Sequence, residues 1–220
     1  TSEPNPAFYQ KDGNYYFNRF TIDQTRINEI ELQARNIGFV ESGKSEYSKQ
    51  FSEEIQNYII EQCIYANEAD YRENEDTIAD PLLVLAIYAH ESNGEADRVN
   101  AQGAVGLMQF MSYDVCEYIS DNEGWYEYSK NPEVKKLIDK ACVDANYEQH
   151  SEQYQSIADD VASMETIVSF AGIPKINISL GIAKLSECYR SVPLLSQYKE
   201  HPSQERMYCA LHYYCGVYNT

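Results

Sequence analysis

Residues 81–115, PLLVLAIYAHESNGEADRVNAQGAVGLMQFMSYDV, decide the fold. The stretch begins with an apolar run in which Leu82, Leu85 and Ala89 recur at helical spacing, and this spacing predicts a buried helix. That helix ends at Glu91, and a turn of small residues, GAVGLMQ, begins twelve residues later. The sequence therefore predicts a helix, a loop and a tight turn, with one carboxylate where the helix ends.

Glu91 is the first candidate for chemistry. At the C-terminal end of an apolar helix, its carboxylate meets apolar surface and the negative end of the helix dipole, and both effects favour the protonated form. A carboxylic acid that keeps its proton near neutral pH can protonate the oxygen of a glycosidic leaving group. The alternative is a glutamate that simply faces solvent at a helix end, and position alone favours that alternative.

Three short segments around Glu91 share a fixed spacing: Glu91 with Ser92, residues 103–104 (GA) and residues 106–109 (GLMQ). This E-S-x(10)-G-A-x-G-L-M-Q pattern resembles the signature of the soluble lytic transglycosylase and goose-type lysozyme superfamily, glycoside hydrolase family 23. The resemblance implies a mainly α-helical, lysozyme-like α+β catalytic domain with a very short β-hairpin lining the cleft. It also implies a mechanism in which one glutamate acts first as general acid and then as general base.

Two weaker motifs follow in the family's order. Asn177, Ile178 and Gly181 resemble N-I-x-x-G, and residues 213–216 (YYCG) resemble a degenerate Y-N-A-G. With these motifs, the resemblance covers about residues 78–217.

The resemblance implies a role for each matched position. Glu91 is the implied catalytic residue, and Ser92 and Gln109 are implied to hydrogen-bond the bound sugar. The Tyr213 hydroxyl is implied to orient the carboxyl or to steady developing charge, with a buried structural tyrosine as the alternative. The implied substrate-binding set is Ser92, Met108, Gln109, Asn177 and Tyr213.

The chain departs from the family's motifs at three positions. Asp114 stands where the family commonly has threonine, and Lys184 stands where N-I-x-x-G is usually followed by tyrosine. Tyr214 replaces the asparagine of Y-N-A-G. The sugar contacts are therefore expected to differ from the family's at these positions.

Two reactions fit a single glutamate of this kind. A lytic transglycosylase uses the muramic acid 6-hydroxyl and leaves a 1,6-anhydro product, whereas an inverting hydrolase needs a second carboxylate about 6.5–9.5 Å away to activate water. Asp97 and Asp114 are the candidate second carboxylates, and a solvated surface charge is the alternative for each. The abundance of acidic residues favours hydrolysis.

The net charge of the chain indicates which ligands it would attract and which it would repel. The chain carries 35 acidic and 17 basic residues, a formal charge of −18, which disfavours nucleic acid as a partner. The same field attracts a cationic glycan, so an acidic cleft would suit de-N-acetylated peptidoglycan or chitosan. The alternative is that surface acidity serves solubility and the cleft is neutral.

Six cysteines in 220 residues suggest an oxidising compartment. We expect Cys116 to pair with Cys142, and Cys188 to pair with Cys209 or Cys215, with buried free thiols as the alternative. No Cys-x-x-Cys pair occurs and the four histidines are scattered, so neither a metal nor a cofactor is expected. Because the chain begins at Thr1 without Met, we expect a secreted or periplasmic protein whose signal peptide has been removed.

The chain divides into two segments. Residues 1–76 are expected to form an N-terminal arm and helical extension that packs on the catalytic domain, with an extended arm over 1–16 and helices over 17–37 and 47–66. Residues 77–220 are expected to form the catalytic domain, with helices over 113–119, 132–142, 153–170, 177–189 and 203–215. No apolar run approaches the roughly 18 residues of a membrane span.

These observations predict a monomeric glycosidase that acts on peptidoglycan glycan strands. It would cleave the β-1,4 bond between N-acetylmuramic acid and N-acetylglucosamine, with a preference for the de-N-acetylated form. A chitosanase or chitinase on the same scaffold is one alternative, and a catalytically silent glycan-binding module is another. The presence of Glu91 favours an active enzyme, because a protein that had lost its catalytic activity would no longer need that residue.

Overall fold

The computed structural model describes residues 8–11, 14–17, 21–22, 53–71, 84, 87–88, 91–92, 94–120, 132–191 and 214. The strands are β1 (Phe8–Lys11), β2 (Asn14–Phe17), β3 (Thr21–Ile22), β4 (Ala104–Val105) and β5 (Phe110–Met111). The helices are α1 (Glu53–Tyr71), α2 (Val115–Ile119), α3 (Pro132–Asp144), α4 (Glu152–Ala158), α5 (Met164–Ala171) and α6 (Pro174–Ser191), with a 3-10 helix, Ser112–Asp114, before α2. This architecture confirms the predicted fold class, mainly α-helical with a very short β-hairpin.

The predicted hairpin is formed by β4 and β5. The two strands pair antiparallel, with Ala104 opposite Met111 and Val105 opposite Phe110. Gly106 opens the turn with a φ of 76°, and Gln109 closes it with a φ of 47°. The first of these angles suits a residue without a side chain, which explains why the turn needs glycine at position 106.

Helix α6 lies at the centre of the core. Its residues from Ile176 to Ala183 are all buried, on every side of the helix. Helices α1, α3 and α5 and strand β5 all contact it. A helix that is buried on all sides has little apolar periodicity in its sequence, so its central position is not visible from the pattern alone.

Helix α1 packs against α6 through a small polar cluster. Gln62 Nε2 donates a hydrogen bond to Ser179 Oγ at 2.6 Å, and the Tyr58 hydroxyl lies 3.4 Å from the same oxygen. At the edge of the contact, Lys175 Nζ lies 3.4 Å from a carboxylate oxygen of Glu54. The predicted helix over 47–66 is confirmed from residue 53 onward and continues to residue 71.

Strands β1, β2 and β3 form a second, three-stranded antiparallel sheet. The helix expected to begin at residue 17 is therefore wrong at residues 17 and 21–22, which lie in strands, while residues 23–37 lie outside the described part of the chain. Strands β1 and β2 pair with Lys11 opposite Asn14, and the two residues between them in sequence are Asp-Gly. An Asp-Gly pair between two aromatic-rich runs is a strong hairpin signal, and here it outweighs the helical spacing of the apolar residues that follow.

Residues 153–170 form parts of two helices, α4 and α5, instead of the single predicted helix. Asp160 has a φ of 56°, a left-handed conformation that cannot continue a right-handed helix. Ser163 then caps α5 by accepting a hydrogen bond from a backbone amide of its first turn. As a result, Val161 and Met164, which the helical stripe placed in the core, are 75% and 57% exposed.

The predicted disulfide bonds are absent from the described residues. Cys116 and Cys142 are buried thiols, and Cys188 is also a thiol, while Cys209 and Cys215 lie outside the described part of the chain. Burial raises the pKa of Cys116 and of Cys142 to about 12, and that of Cys188 to about 11. Thiols in such surroundings stay protonated and pack as small apolar side chains, so these cysteines belong to the core.

Among the described helices, none is by itself long and apolar enough to cross a membrane. Only α5 and the part of α6 up to Cys188 reach that length and composition together, and a bend of 91° separates them.

Candidate active site

Glu91 lies at the end of a helix whose described residues are buried. Val84, Ile87 and Tyr88 are helical and at most 1% exposed, in agreement with the apolar run. Glu91 itself is helical and half-buried, and within the described residues no hydrogen bond or ion pair holds its carboxylate. The structure therefore places this carboxylate at the edge of the core, partly in contact with solvent.

Ser92 fixes the backbone next to Glu91. Its side chain is fully buried, and its Oγ donates a hydrogen bond to the Tyr88 carbonyl at 3.0 Å and accepts one from the Gly94 amide at 3.2 Å. Both bonds lie within the end of the helix, where backbone groups lack helical partners. The predicted bond from Ser92 to a sugar stays a prediction, because in this structure the hydroxyl holds the helix end.

The loop after Glu91 is fastened to the β4–β5 turn. The Arg98 carbonyl accepts hydrogen bonds from the Gly106 amide at 2.7 Å and from Gln109 Nε2 at 3.0 Å. The same Nε2 donates to the Gly106 carbonyl at 2.9 Å. Gln109 therefore closes the turn and ties the loop to it, and its predicted sugar contact stays a prediction.

Asn177 joins α6 to the hairpin. Its side chain is 0% exposed, and its Oδ1 accepts a hydrogen bond from the Met108 amide at 2.7 Å. Its Nδ2 donates to the Val105 carbonyl at 2.8 Å and to the Ala171 carbonyl at 2.6 Å. The substrate contact expected of Asn177 stays a prediction, because in this structure its side chain is a buried crosslink beneath the hairpin.

Two glycines allow the hairpin and α6 to approach each other. A Cβ atom on Gly106 would lie 2.5 Å from Asn177 Nδ2, and a Cβ on Gly181 would lie 2.7 Å from the Cβ of Met108. Met108 is fully buried against this glycine. The N-I-x-x-G motif thus supplies both the crosslink and the space into which the GLMQ turn fits.

One comparison with known families bears on this site. The family model described as transglycosylase SLT domain matches residues 67–136, about a third of the chain, and the match includes Glu91 and the whole hairpin. This part of the chain matches the SLT domain family. The resemblance drawn from the E-S-x(10)-G-A-x-G-L-M-Q pattern is thereby confirmed. The chain matches no curated protein and no solved structure.

The match to the SLT domain supports peptidoglycan cleavage of the lytic-transglycosylase kind as the general function. The match ends at residue 136, before the N-I-x-x-G motif. Asn177 and Gly181 nevertheless touch the SLT segment directly, through Val105, Gly106 and Met108. The segment that follows the match therefore packs directly against the matched segment.

Tyr214 contacts the candidate site, although the sequence analysis named it only as a departure from the Y-N-A-G motif. It is 4% exposed, and its hydroxyl donates a hydrogen bond to the Met108 carbonyl at 2.9 Å. The neighbouring Tyr213, to which the resemblance assigns a role, lies outside the described residues. Position 214 is 106 residues from Met108, so no local pattern could have linked the two.

The two candidate second carboxylates have different surroundings. Asp97 is exposed in the loop after Glu91, whereas Asp114 is half-buried at the end of the 3-10 helix that follows the hairpin. Burial raises the pKa of the Asp114 carboxyl, and the Lys184 ammonium partly opposes that shift. Burial also raises the pKa of Glu117, with the Asp114 and Asp160 carboxylates adding to the effect.

Within the ranges that the structure describes, no group of three or more His, Cys, Asp or Glu side chains is placed to hold a metal ion.

Replacing Gly181 by alanine should lower stability by about 1–3 kcal/mol, the usual cost of forcing a methyl group into a packed core. The added Cβ would meet both the Cβ and the Cγ of Met108 at 2.7 Å. Urea unfolding of the purified variant measures this cost. The double variant Gly181→Ala, Met108→Ala should lose less stability than the sum of the two single losses, because Met108→Ala removes the Cγ and Cε atoms that the methyl group meets and leaves only the Cβ contact. Strictly additive costs would contradict the contact.

Proposed function

We propose that this protein is a glycosidase that cleaves the β-1,4 bond between N-acetylmuramic acid and N-acetylglucosamine in peptidoglycan, with Glu91 as general acid and base. The observation that carries the proposal is the half-buried Glu91 carboxylate, unpaired within the described residues, inside the segment matched by the SLT domain. A carboxyl group at a helix end that reaches solvent can deliver a proton to a glycosidic oxygen when that oxygen lies within hydrogen-bonding distance.

The hydrogen-bonded helix end, loop and hairpin next to Glu91, which together form a frame, support its role as general acid and base. The polar motif side chains Ser92, Gln109 and Asn177 donate or accept hydrogen bonds with the backbone, and so hold the helix end, loop and hairpin in one arrangement. A general acid contributes most when its position is fixed relative to the bond that breaks. In this proposal, the frame supplies that fixed position and Glu91 supplies the proton.

The acidity of the chain supports a preference for de-N-acetylated peptidoglycan. Loss of the acetyl group exposes an amine that is protonated at neutral pH, and a chain of charge −18 attracts such a glycan. Glu95 and Asp97 lie in the loop directly after Glu91, so part of this negative charge is close to the proposed cleft. The same argument keeps a chitosanase as the rival within the enzyme class.

The reaction outcome depends on a second carboxylate. A hydrolase needs one to activate water, whereas transglycosylation uses the muramic acid 6-hydroxyl. We favour Asp114 over Asp97 for this role, because Asp114 is half-buried directly after the hairpin while Asp97 is exposed to solvent. Burial raises the pKa of Asp114, and the Lys184 ammonium would help it to stay ionised as a base.

The proposed substrate also bears on location. Peptidoglycan lies outside the cytoplasmic membrane, so secretion or residence in the periplasm is part of this proposal. That placement rests on the substrate and not on the cysteines, because Cys116 and Cys142 are thiols.

Digestion of intact and chemically de-N-acetylated peptidoglycan, with chitosan in parallel, tests the proposal when the released fragments are analysed by mass spectrometry. We expect soluble fragments from both peptidoglycans and faster release from the de-N-acetylated one. Raising the salt concentration should reduce that advantage, because exposed charges are screened beyond about 8 Å at physiological ionic strength.

Each outcome of this digestion has a defined meaning. Anhydro ends indicate transglycosylation, and ends one water heavier indicate hydrolysis. Cleavage of chitosan alone would replace the proposal by a chitosanase. Binding of glycan without any release of fragments would replace it by a silent glycan-binding module.

A further inference from the structure

The three positions at which the chain departs from the family's motifs are neighbours in the structure. Asp114, Lys184 and Tyr214 are separated by 70 and 30 residues in sequence. The Lys184 ammonium lies 4.7 Å from the centre of the Tyr214 ring, and the same ammonium acts on the Asp114 carboxyl. Lys184 therefore links the other two departures, Asp114 and Tyr214, in one group of interacting side chains beside the hairpin.

Tyr214 acts directly on the GLMQ turn. Its hydroxyl donates to the Met108 carbonyl at 2.9 Å, and the Met108 amide donates to Asn177 Oδ1 at 2.7 Å. Both polar backbone groups of Met108 are thus held by side chains from distant parts of the chain. Because Gln109 comes next and bonds the Arg98 carbonyl, the position of Met108 also sets the loop that follows Glu91.

Lys184 interacts with the face of the Tyr214 ring, whereas the hydroxyl of that ring bonds Met108. Lys184 lies on α6, three residues after Gly181, and is half-buried. A cation over the face of a phenol ring is attracted by the ring quadrupole, and burial reduces the screening of that attraction by solvent. The half-buried Asp114 carboxyl supplies an opposite charge nearby. The ammonium therefore interacts with the face of the ring and is attracted by the charge of the Asp114 carboxyl.

We infer that Lys184 is a positioning residue for the proposed glycosidase site, acting through Tyr214 on the backbone of Met108 and so on the GLMQ turn. Asp114 is its counter-charge. In this arrangement, removal of the Lys184 charge loosens the Tyr214 ring, weakens the bond to the Met108 carbonyl and lets the turn move. The inference rests on the proposed function only for its effect on cleavage, since the effect on the turn is independent of any substrate.

Three variants test separately the charge of Lys184 and the hydroxyl group of Tyr214. Lys184→Met removes the charge and keeps the length, Lys184→Arg keeps the charge, and Tyr214→Phe keeps the ring and removes the hydroxyl. Lys175→Met is the matched control, because Lys175 also lies on α6 and its ammonium lies 5.4 Å from the centre of the Tyr58 ring, on the α1 side of that helix. Thermal unfolding first establishes that each variant is folded.

Hydrogen exchange of the Met108 and Gln109 amides is the first measurement. Lys184→Met and Tyr214→Phe should each speed exchange there by about tenfold, the scale of a modest shift in a local opening equilibrium. Lys184→Arg and the Lys175→Met control should leave these amides within about twofold of the parent protein. Unchanged exchange in Lys184→Met, or equal effects of Lys184→Met and Lys184→Arg, would overturn the inference.

Cleavage kinetics are the second measurement. Lys184→Met should lower kcat by about tenfold with KM little changed, because it disturbs the geometry of the site and not the binding surface. Lys184→Arg should recover most of that loss. A fall in unfolding temperature with normal kcat and normal exchange would reduce Lys184 to a structural residue. Should the parent protein cleave no glycan at all, the proposed function fails, while the exchange measurement still decides the positioning role.

Discussion

Replacing Glu91 by glutamine is expected to lower the rate of peptidoglycan cleavage by about 10²–10⁴-fold, the contribution typical of a positioned general acid or base. Glutamine matches the size of the glutamate side chain but has no proton to give and cannot become a base. Since no hydrogen bond or ion pair holds the Glu91 carboxylate within the described residues, the change should leave stability nearly unaltered. Release of soluble fragments, measured against urea unfolding of the same preparation, checks both expectations.

Glu152→Gln is the matched control for this experiment. It makes the same chemical change at an exposed position of α4, outside the hairpin and its contacts. We expect this control to cleave at the parent rate. If Glu91→Gln cleaved as fast as the control, Glu91 would lose its catalytic assignment. If Glu91→Gln still bound glycan while losing cleavage, the reading of the protein as a silent binding module would lose its support.

Replacing Asn177 by alanine is expected to lower the free energy of unfolding by about 3–5 kcal/mol, a loss that few single substitutions cause. The change leaves the Met108 amide and the carbonyls of Val105 and Ala171 without their partner. A buried polar group without a partner costs about 1–3 kcal/mol, and water entering the vacated space can recover part of that cost. Urea unfolding measures the loss.

Gln155→Ala provides the comparison for Asn177→Ala. It also removes a side-chain amide, but from an exposed position where Nε2 bonds only the Asp159 carboxylate, at 2.9 Å. Surface changes of this kind stay within about 0.5 kcal/mol. A loss at Asn177 no larger than the loss at Gln155 would mean that the crosslink does not hold the hairpin. Cleavage should fall together with stability in Asn177→Ala, because the turn then loses its anchor.

The helix ending at Glu91 and the tight turn after it could be predicted because their signals are local. Apolar residues at helical spacing indicate the helix, and the glycines of GAVGLMQ indicate a turn. The structure places a half-buried Glu91 and a two-stranded hairpin there. Sequence spacing was enough for the helix and the turn, since each depends on residues only a few positions apart, whereas the strands of the hairpin were implied by the family resemblance.

The roles of the motif's polar residues could not be predicted in the same way. Asn177 contacts backbone groups 69 and 72 residues away, and Tyr214 contacts a carbonyl 106 residues away. No local pattern indicates whether such a side chain bonds a sugar or the protein's own backbone. The cysteines show the same difficulty, because Cys116 and Cys142 satisfy the expectations for a disulfide in composition but are buried as thiols.

Two errors in the fold had signals that were present and were outweighed by periodicity. The Asp-Gly pair between β1 and β2 indicates a hairpin, although the residues after it have helical spacing. Ser163 is a good N-cap residue in the middle of the predicted helix over 153–170, and the structure begins α5 directly after it. Turn and cap residues deserved more weight than the apolar stripe in both places.

The long separation between Met108 and Asn177 also bears on how the protein is made. The Met108 amide finds its acceptor only after the ribosome has synthesised the 69 residues that lead to Asn177, and α6 must then fold against the hairpin. A nascent chain shorter than this contains Glu91 but lacks the support of the turn beside it. The enzyme proposed here would therefore lack its working geometry until residue 177 has been synthesised and α6 has folded against the hairpin.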